Sequence, residues 1–179
     1  MLGRLIIQSA KVITVSLILA LCSCKPETLD YSVVPEISLI SVTQIKNAAQ
    51  KDSIIQVTIS YQDGDGDIGL TDADTLAPYN IGSPYAHNLP ITYMVPDENG
   101  GYTELLKSNN GQPYGNEHER IPIITPTGKY KAINGEIVVN LSANPAFEKP
   151  AEVYFEIRLI DRNLNLSNTI TTEVLQLTH

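Results

Sequence analysis

The sequence predicts an all-β chain folded as an antiparallel β-sandwich of about seven strands. Three observations carry that expectation. Apolar residues recur with a period of two rather than 3.6. Turn-forming pairs such as Asn99-Gly100 and Asn134-Gly135 punctuate the alternating runs. No stretch of helical length shows an apolar stripe, and the 11 prolines interrupt most candidates.

The first segment stands outside that fold. Arg4 and Lys11 make a basic start, Val12 to Leu21 is an apolar run, and Ser23 is small. This is the layout of a secretory signal peptide, expected over 1–23. The run is too short for a membrane span, which needs roughly 20 residues. Leu21-Cys22-Ser23-Cys24 resembles a bacterial lipobox, in which the last cysteine is acylated and becomes the new N-terminus. That resemblance implies a lipid on Cys24 and a chain held on a membrane. An uncleaved N-terminal anchor is the alternative, and it tethers the domain equally. Residues 24–36 contain two prolines and no clear period, and read as a tether.

The rest, 37–179, is one domain. All 20 Asp and Glu but only ten of the 12 Lys and Arg lie beyond residue 23, for a net charge of about −10. An acidic surface without a basic patch excludes nucleic acid as a partner and favours cations and basic partners.

Strands follow in order. Ile37–Ile45 is rich in Ile, Val and Thr. Ser53–Tyr61 alternates Ile55, Val57, Ile59 and Tyr61 with Gln56, Thr58 and Ser60, which marks one buried and one wet face. Ile91–Val95 and Tyr102–Leu106 flank Asn99-Gly100. Lys129–Ile133 and Glu136–Leu141 flank Asn134-Gly135, a pair suited to a type I′ hairpin turn. Glu152–Leu159 alternates strictly, and Thr169–Leu177 is expected as the last strand. Two long loops, 70–90 and 107–120, have no regular pattern, and loops of that length are often functional.

Directly after the first strictly alternating strand comes Asp63-Gly64-Asp65-Gly66-Asp67-Ile68-Gly69, written DGDGDIG. Three carboxylates in five residues repel one another unless something neutralises them. Glycines between them let the backbone curl and aim alternate carboxylates at one point. Three Asp supply three to six oxygens, and Ca²⁺ takes six to eight. No His or Cys lies close in sequence, which disfavours zinc, copper or iron. Ile68 and Asp74 stand where an EF-hand needs Gly and Glu. The alternative is a hydrated acidic turn.

If 53–61 and 152–160 are strands B and F of an immunoglobulin-like sandwich, the loops after them share one end. Asp161, Asn163 and Asn165 then join Asp63, Asp65 and Asp67 as candidate metal ligands. Asp72 and Asp74 read as ordinary loop charges. The loop DGDGDIG and the closing FEIRLIDRNLNLSNTITTEV resemble the immunoglobulin-like domains of Bacteroidota-type envelope lipoproteins. The resemblance implies an outer-membrane lipoprotein, on the periplasmic or the surface face, and no particular activity. Glu27 and Asp30 are a thin version of the acidic cluster that follows the cysteine in surface-directed members.

No nucleophile elbow, zinc-protease motif or phosphate loop is present. Glu117-His118-Glu119-Arg120 reads as an exposed charged loop rather than an acid–base site. The chain is therefore read as a non-enzyme: a binding or scaffold module with structural Ca²⁺, facing an envelope protein. A carbohydrate-binding module is the second reading, with Tyr79, Tyr85 and Tyr114 as the ligand surface and Tyr93 and Tyr102 as strand packing. A hydrolase using Glu117 or Glu119 is the third.

Overall fold

A computed structural model describes residues 29–115, 117–129, 131–145 and 148–179. The signal segment and the acylated Cys24 lie outside the described residues. Among the described residues eight strands form: β1 (Glu36–Lys46), β2 (Asp52–Asp63), β3 (Ile91–Pro96), β4 (Tyr102–Glu104), β5 (Ile133–Ser142), β6 (Glu152–Ile157), β7 (Ile170–Thr171) and β8 (Leu175–Gln176). One sheet has the order β1-β2-β5, the other β4-β3-β6-β7, with β8 also pairing β6. Every pairing between these strands is antiparallel.

The alternation read from sequence becomes the core. Ile55, Val57 and Ile59 of β2 and Ile137, Val139 and Leu141 of β5 point inward from one sheet. Ile91 and Tyr93 of β3 and Val153, Phe155 and Ile157 of β6 belong to the same cluster from the other. Tyr93 meets Phe155 edge to face at 4.7 Å between centroids, a preferred aromatic geometry. Its hydroxyl donates to the Ser142 carbonyl at 3.0 Å, crossing from β3 to β5. Burial, followed by the nearby Glu117 charge, pushes that phenol far above its ordinary pKa, so it stays a donor. Truncating Phe155 to Ala here belongs to a class that costs about 3–5 kcal/mol.

Two expected elements differ. Asn134-Gly135 is not a hairpin turn: β5 runs straight through it, and Lys129, Lys131 and Ala132 lie in no strand. Gly135 stands opposite Tyr61 in the β2–β5 register, and a side chain there would meet the tyrosine ring. The glycine makes room for a cross-strand aromatic. The last strand is broken into β7 and β8. Between them the Thr172 hydroxyl, rather than a strand carbonyl, accepts the Phe155 N–H at 3.0 Å. The hairpin β3–β4 does form around Asn99-Gly100, with Asp97 Oδ1 accepting from the Asn99 and Gly101 amides at 2.8 Å each.

Strand direction sets the two ends of the molecule. β1 begins, β2 ends, β3 begins and β6 ends at the same end. The loops 64–90 and 158–169 therefore meet there. The turns 47–51 and 97–101 and the C-terminus lie at the other end, where Asp52 N–H bonds the Thr178 carbonyl at 2.9 Å.

Candidate metal centre

Asp63 is the last residue of β2 and is fully buried. The chain then turns through Gly64 and Gly66, and Gly66 has φ 65°. A Cβ at Gly66 would overlap the Lys131 carbonyl oxygen, so backbone lies on backbone here. That close turn brings Asp67 back over Asp63, whose Oδ2 accepts the Asp67 amide at 3.1 Å.

The result is a cluster that can hold a metal ion. Asp63, Asp65 and Asp67 each offer one carboxylate oxygen within 4.8 Å of the others. Two oxygens on one Ca²⁺ can lie up to about 5 Å apart, so the spacing fits. Each of the three also has a buried oxygen, Oδ1, with no hydrogen-bond partner. Burying a carboxylate oxygen without a partner is costly, and three in one place is a strong demand for positive charge.

The electrostatics agree. Burial first, then the Asp65 and Asp67 charges, with Asp161 behind them, raise Asp63 to about 6. Burial first, then Asp161 and Asp65, raise Asp67 to about 6. Both carboxyls hold a proton more tightly than an ordinary Asp because burial first, and then the like charge around them, disfavours the ionised form.

The loop after β6 lies against this cluster. The Arg162 amide donates to the Asp67 carbonyl at 3.2 Å. Asn163 gives its amide to Asp67 Oδ2 at 3.1 Å and its Nδ2 to Asp65 Oδ2 at 3.3 Å. Asp161 and Asn165 stand differently from the expected ligand set. Both Asp161 oxygens accept from Asn165, from its main-chain N at 2.8 Å and its Nδ2 at 2.7 Å. Asp161 thus closes its own turn, with Leu164 at φ 66°, and acts on the triad through its charge.

Asp74 is the residue the sequence reading missed. Arg162 grips it with both guanidinium nitrogens, at 2.9 and 3.0 Å, and bonds the Gly69 carbonyl at 3.1 Å. Hydrogen bonds from Arg162, then from Thr71, hold the Asp74 carboxyl well below the usual range. The spacing Thr71-x-x-Asp74 was a turn signal, but nothing local pointed to residue 162. Arg120 fastens the same loop through the carbonyls of Ala86, Thr71 and Asp74 at 3.0, 3.0 and 2.8 Å.

The tyrosines divide. Tyr114, expected on a ligand surface, is 4% exposed and packs edge-on against Tyr93. It belongs to the core because the loop doubles back on Leu105, whose carbonyl accepts the Tyr114 amide at 2.8 Å while its own amide bonds the Tyr93 carbonyl. Tyr79 gives its hydroxyl to the Arg162 carbonyl at 2.6 Å, with the guanidinium 5.4 Å from its ring centre. Tyr85 is half-buried and lines a shallow hollow with Pro84, Pro90, Thr92, Glu156 and Arg158. The segment at 117–120 is half-buried rather than exposed. Glu117 accepts the Tyr114 hydroxyl at 3.2 Å, and His118 Nδ1 accepts the Ile91 amide at 3.0 Å. Burial, then the neighbouring His87, lowers the His118 pKa.

Comparison of the chain with protein-family models, with curated proteins and with solved structures finds no match.

Proposed function

We propose that this protein is a membrane-anchored cell-envelope lipoprotein whose sandwich is a non-catalytic binding or scaffold module stabilised by Ca²⁺. One observation carries the reading: three aspartates converge with a buried, unpartnered oxygen each. An all-oxygen, all-carboxylate donor set suits a hard cation, and flexible coordination numbers suit Ca²⁺ better than Mg²⁺. Asp63, Asp65 and Asp67 would hold the ion. A half turn of the Asn163 amide, which now donates to Asp65, would present its oxygen instead. The ion would fix the two loops that meet at this end and so hold one stable contact surface there.

The strand orders support the immunoglobulin-like reading, since β1-β2-β5 corresponds to A-B-E and β4-β3-β6-β7 to C′-C-F-G. The carbohydrate reading loses Tyr114 to the core and keeps Tyr79 and Tyr85, both half-buried.

A thermal melt in EDTA and across a Ca²⁺ titration tests the proposal, with Mg²⁺ as control. An ion bound only by the folded state adds about 2.7 kcal/mol at 100 times its Kd. For a domain of this size that is a Tm rise of about 5–11 °C. The rise should be weaker with Mg²⁺ and absent in Asp65→Asn. No shift with Ca²⁺ at millimolar concentration sinks the cation, and with it this account of the module.

A further inference from the structure

The N-terminal segment leaves the sandwich at the same end as the aspartate cluster. The Ser32 carbonyl accepts the Gly64 amide at 2.8 Å, and the Tyr31 hydroxyl accepts Asn134 Nδ2 at 2.8 Å. A Cβ at Gly64 would overlap the Tyr31 carbonyl, so the segment lies flat on the acid loop. The tether is thus docked on the site, not free up to residue 36.

That end also displays apolar side chains. Leu76 is 80% and Ile81 96% exposed, both on the loop 64–90. Val33 and Val34 on the N-terminal segment are exposed beside the same acid loop. Looseness does not account for the exposure of Leu76 and Ile81. Arg120, Arg162 and Tyr79 fasten the loop that carries them on both sides. A braced loop that holds aliphatic side chains in water is built for contact with something apolar.

We propose that this end of the sandwich docks on the lipid bilayer that carries the anchor, with Leu76 and Ile81 entering the headgroup–acyl boundary. The inference rests on the lipoprotein reading, because the chain length decides it. Eight residues separate Cys24 from the docked Ser32, at most about 29 Å of extended chain. β2 has 12 residues and spans about 40 Å, so the sandwich cannot stand inverted with its other end on the lipid, because Ser32 would then lie beyond the tether's reach. An acylated Cys24 therefore holds the aspartate end toward the membrane and leaves the 47–51 and 97–101 turns outward. A protein partner would then meet the outward end, and the cation would screen the acidic end from anionic headgroups.

The test uses the full-length acylated protein in vesicles of phosphatidylethanolamine and phosphatidylglycerol that carry nitroxide-labelled lipid. Single cysteines are introduced as Ile81→Cys or, at the far end, Asn99→Cys, and each is labelled with an environment-sensitive fluorophore. With Ca²⁺ present, the label at 81 should be blue-shifted and quenched several-fold more than the label at 99. Adding Leu76→Asp should cut the quenching at 81 while leaving the Ca²⁺ shift of the melt unchanged. Equal quenching at both positions, none at 81, or no effect of Leu76→Asp overturns the proposal. Failure of the anchor reading is seen separately, as protein that neither carries acyl chains nor floats with the vesicles. Failure of the cation reading is seen separately too, as a melt that ignores Ca²⁺.

Discussion

β2 begins and ends on a buried aspartate, and the two are treated very differently. Asp52 is 1% exposed and Asp63 0%. At the first, Asp52 Oδ2 accepts the Thr178 amide at 2.7 Å, and the main-chain carbonyl accepts Asn144 Nδ2 at 2.6 Å. One carboxylate oxygen is left without a partner there. That carboxylate works as a backbone clasp for the C-terminal segment. At the second, two more aspartates are folded onto the first and three oxygens are left over. A lone orphan oxygen is a tolerable defect, whereas three in mutual repulsion are a binding site or a serious instability.

Glycine sharpens the comparison most. Gly66 at the acid end and Gly100 at the far end both have positive φ, 65° and 82°. Nothing lies within 4 Å of a Cβ built on Gly100, so Gly100→Ala should cost only the left-handed strain, about 1–2 kcal/mol. Gly66→Ala adds an overlap with the Lys131 carbonyl. With backbone displacement on top of strain, its loss should exceed about 3 kcal/mol. It should also abolish the Ca²⁺ response, which Gly100→Ala should keep. Urea denaturation with and without Ca²⁺ measures both. Equal costs would mean that the acid turn is as loosely packed as a surface hairpin.

The pH dependence is the next largest effect, and its sign depends on the ion. In the cation-free chain Asp63 and Asp67 titrate at about 6, above the ordinary 3.8. The folded state then holds more protons than the unfolded between about 4 and 6. Stability from these groups is therefore greatest below that window and falls as pH rises through it. For the fully buried Asp63 the penalty at pH 7 is on the order of 3 kcal/mol. With Ca²⁺ bound the slope reverses, because protons compete with the ion and stability falls as pH drops through 6. The difference between wild type and Asp63→Asn, measured at pH 4.5 and 7 in EDTA and in Ca²⁺, isolates the term. The same slope in both media would remove the ion from the account.

Legibility followed the range of the interactions. β2 and β6 were readable because alternation is a local consequence of one buried face, and Ile55, Val57 and Ile59 are all 0% exposed. The acid triad was readable because its three residues are near neighbours in sequence. Asn134-Gly135 was misread because the reason for that glycine is Tyr61, on the neighbouring strand. Tyr114 was placed on the surface because a loop tyrosine looks alike in sequence whether it faces water or Tyr93. The Asp74–Arg162 pair joins residues 88 apart, and no local pattern encodes it.

That pair is the subject of the last and smallest prediction. Arg162 N–H holds the Asp67 carbonyl while its guanidinium holds Asp74, so one residue couples the acid turn to the loop that carries Leu76 and Ile81. A partly exposed ion pair adds little to global stability, so Arg162→Gln should leave the melting temperature almost unchanged. Its effect should be local. Amide hydrogen exchange over 71–85 should speed up by roughly a few-fold, while exchange in β2 and β6 stays as in wild type. Ca²⁺ should no longer slow exchange in that loop, although it still raises the melting temperature through the three aspartates. If Ca²⁺ protects 71–85 equally in wild type and Arg162→Gln, the loop reads the ion by another route, and Tyr79 on the Arg162 carbonyl is the contact to remove next.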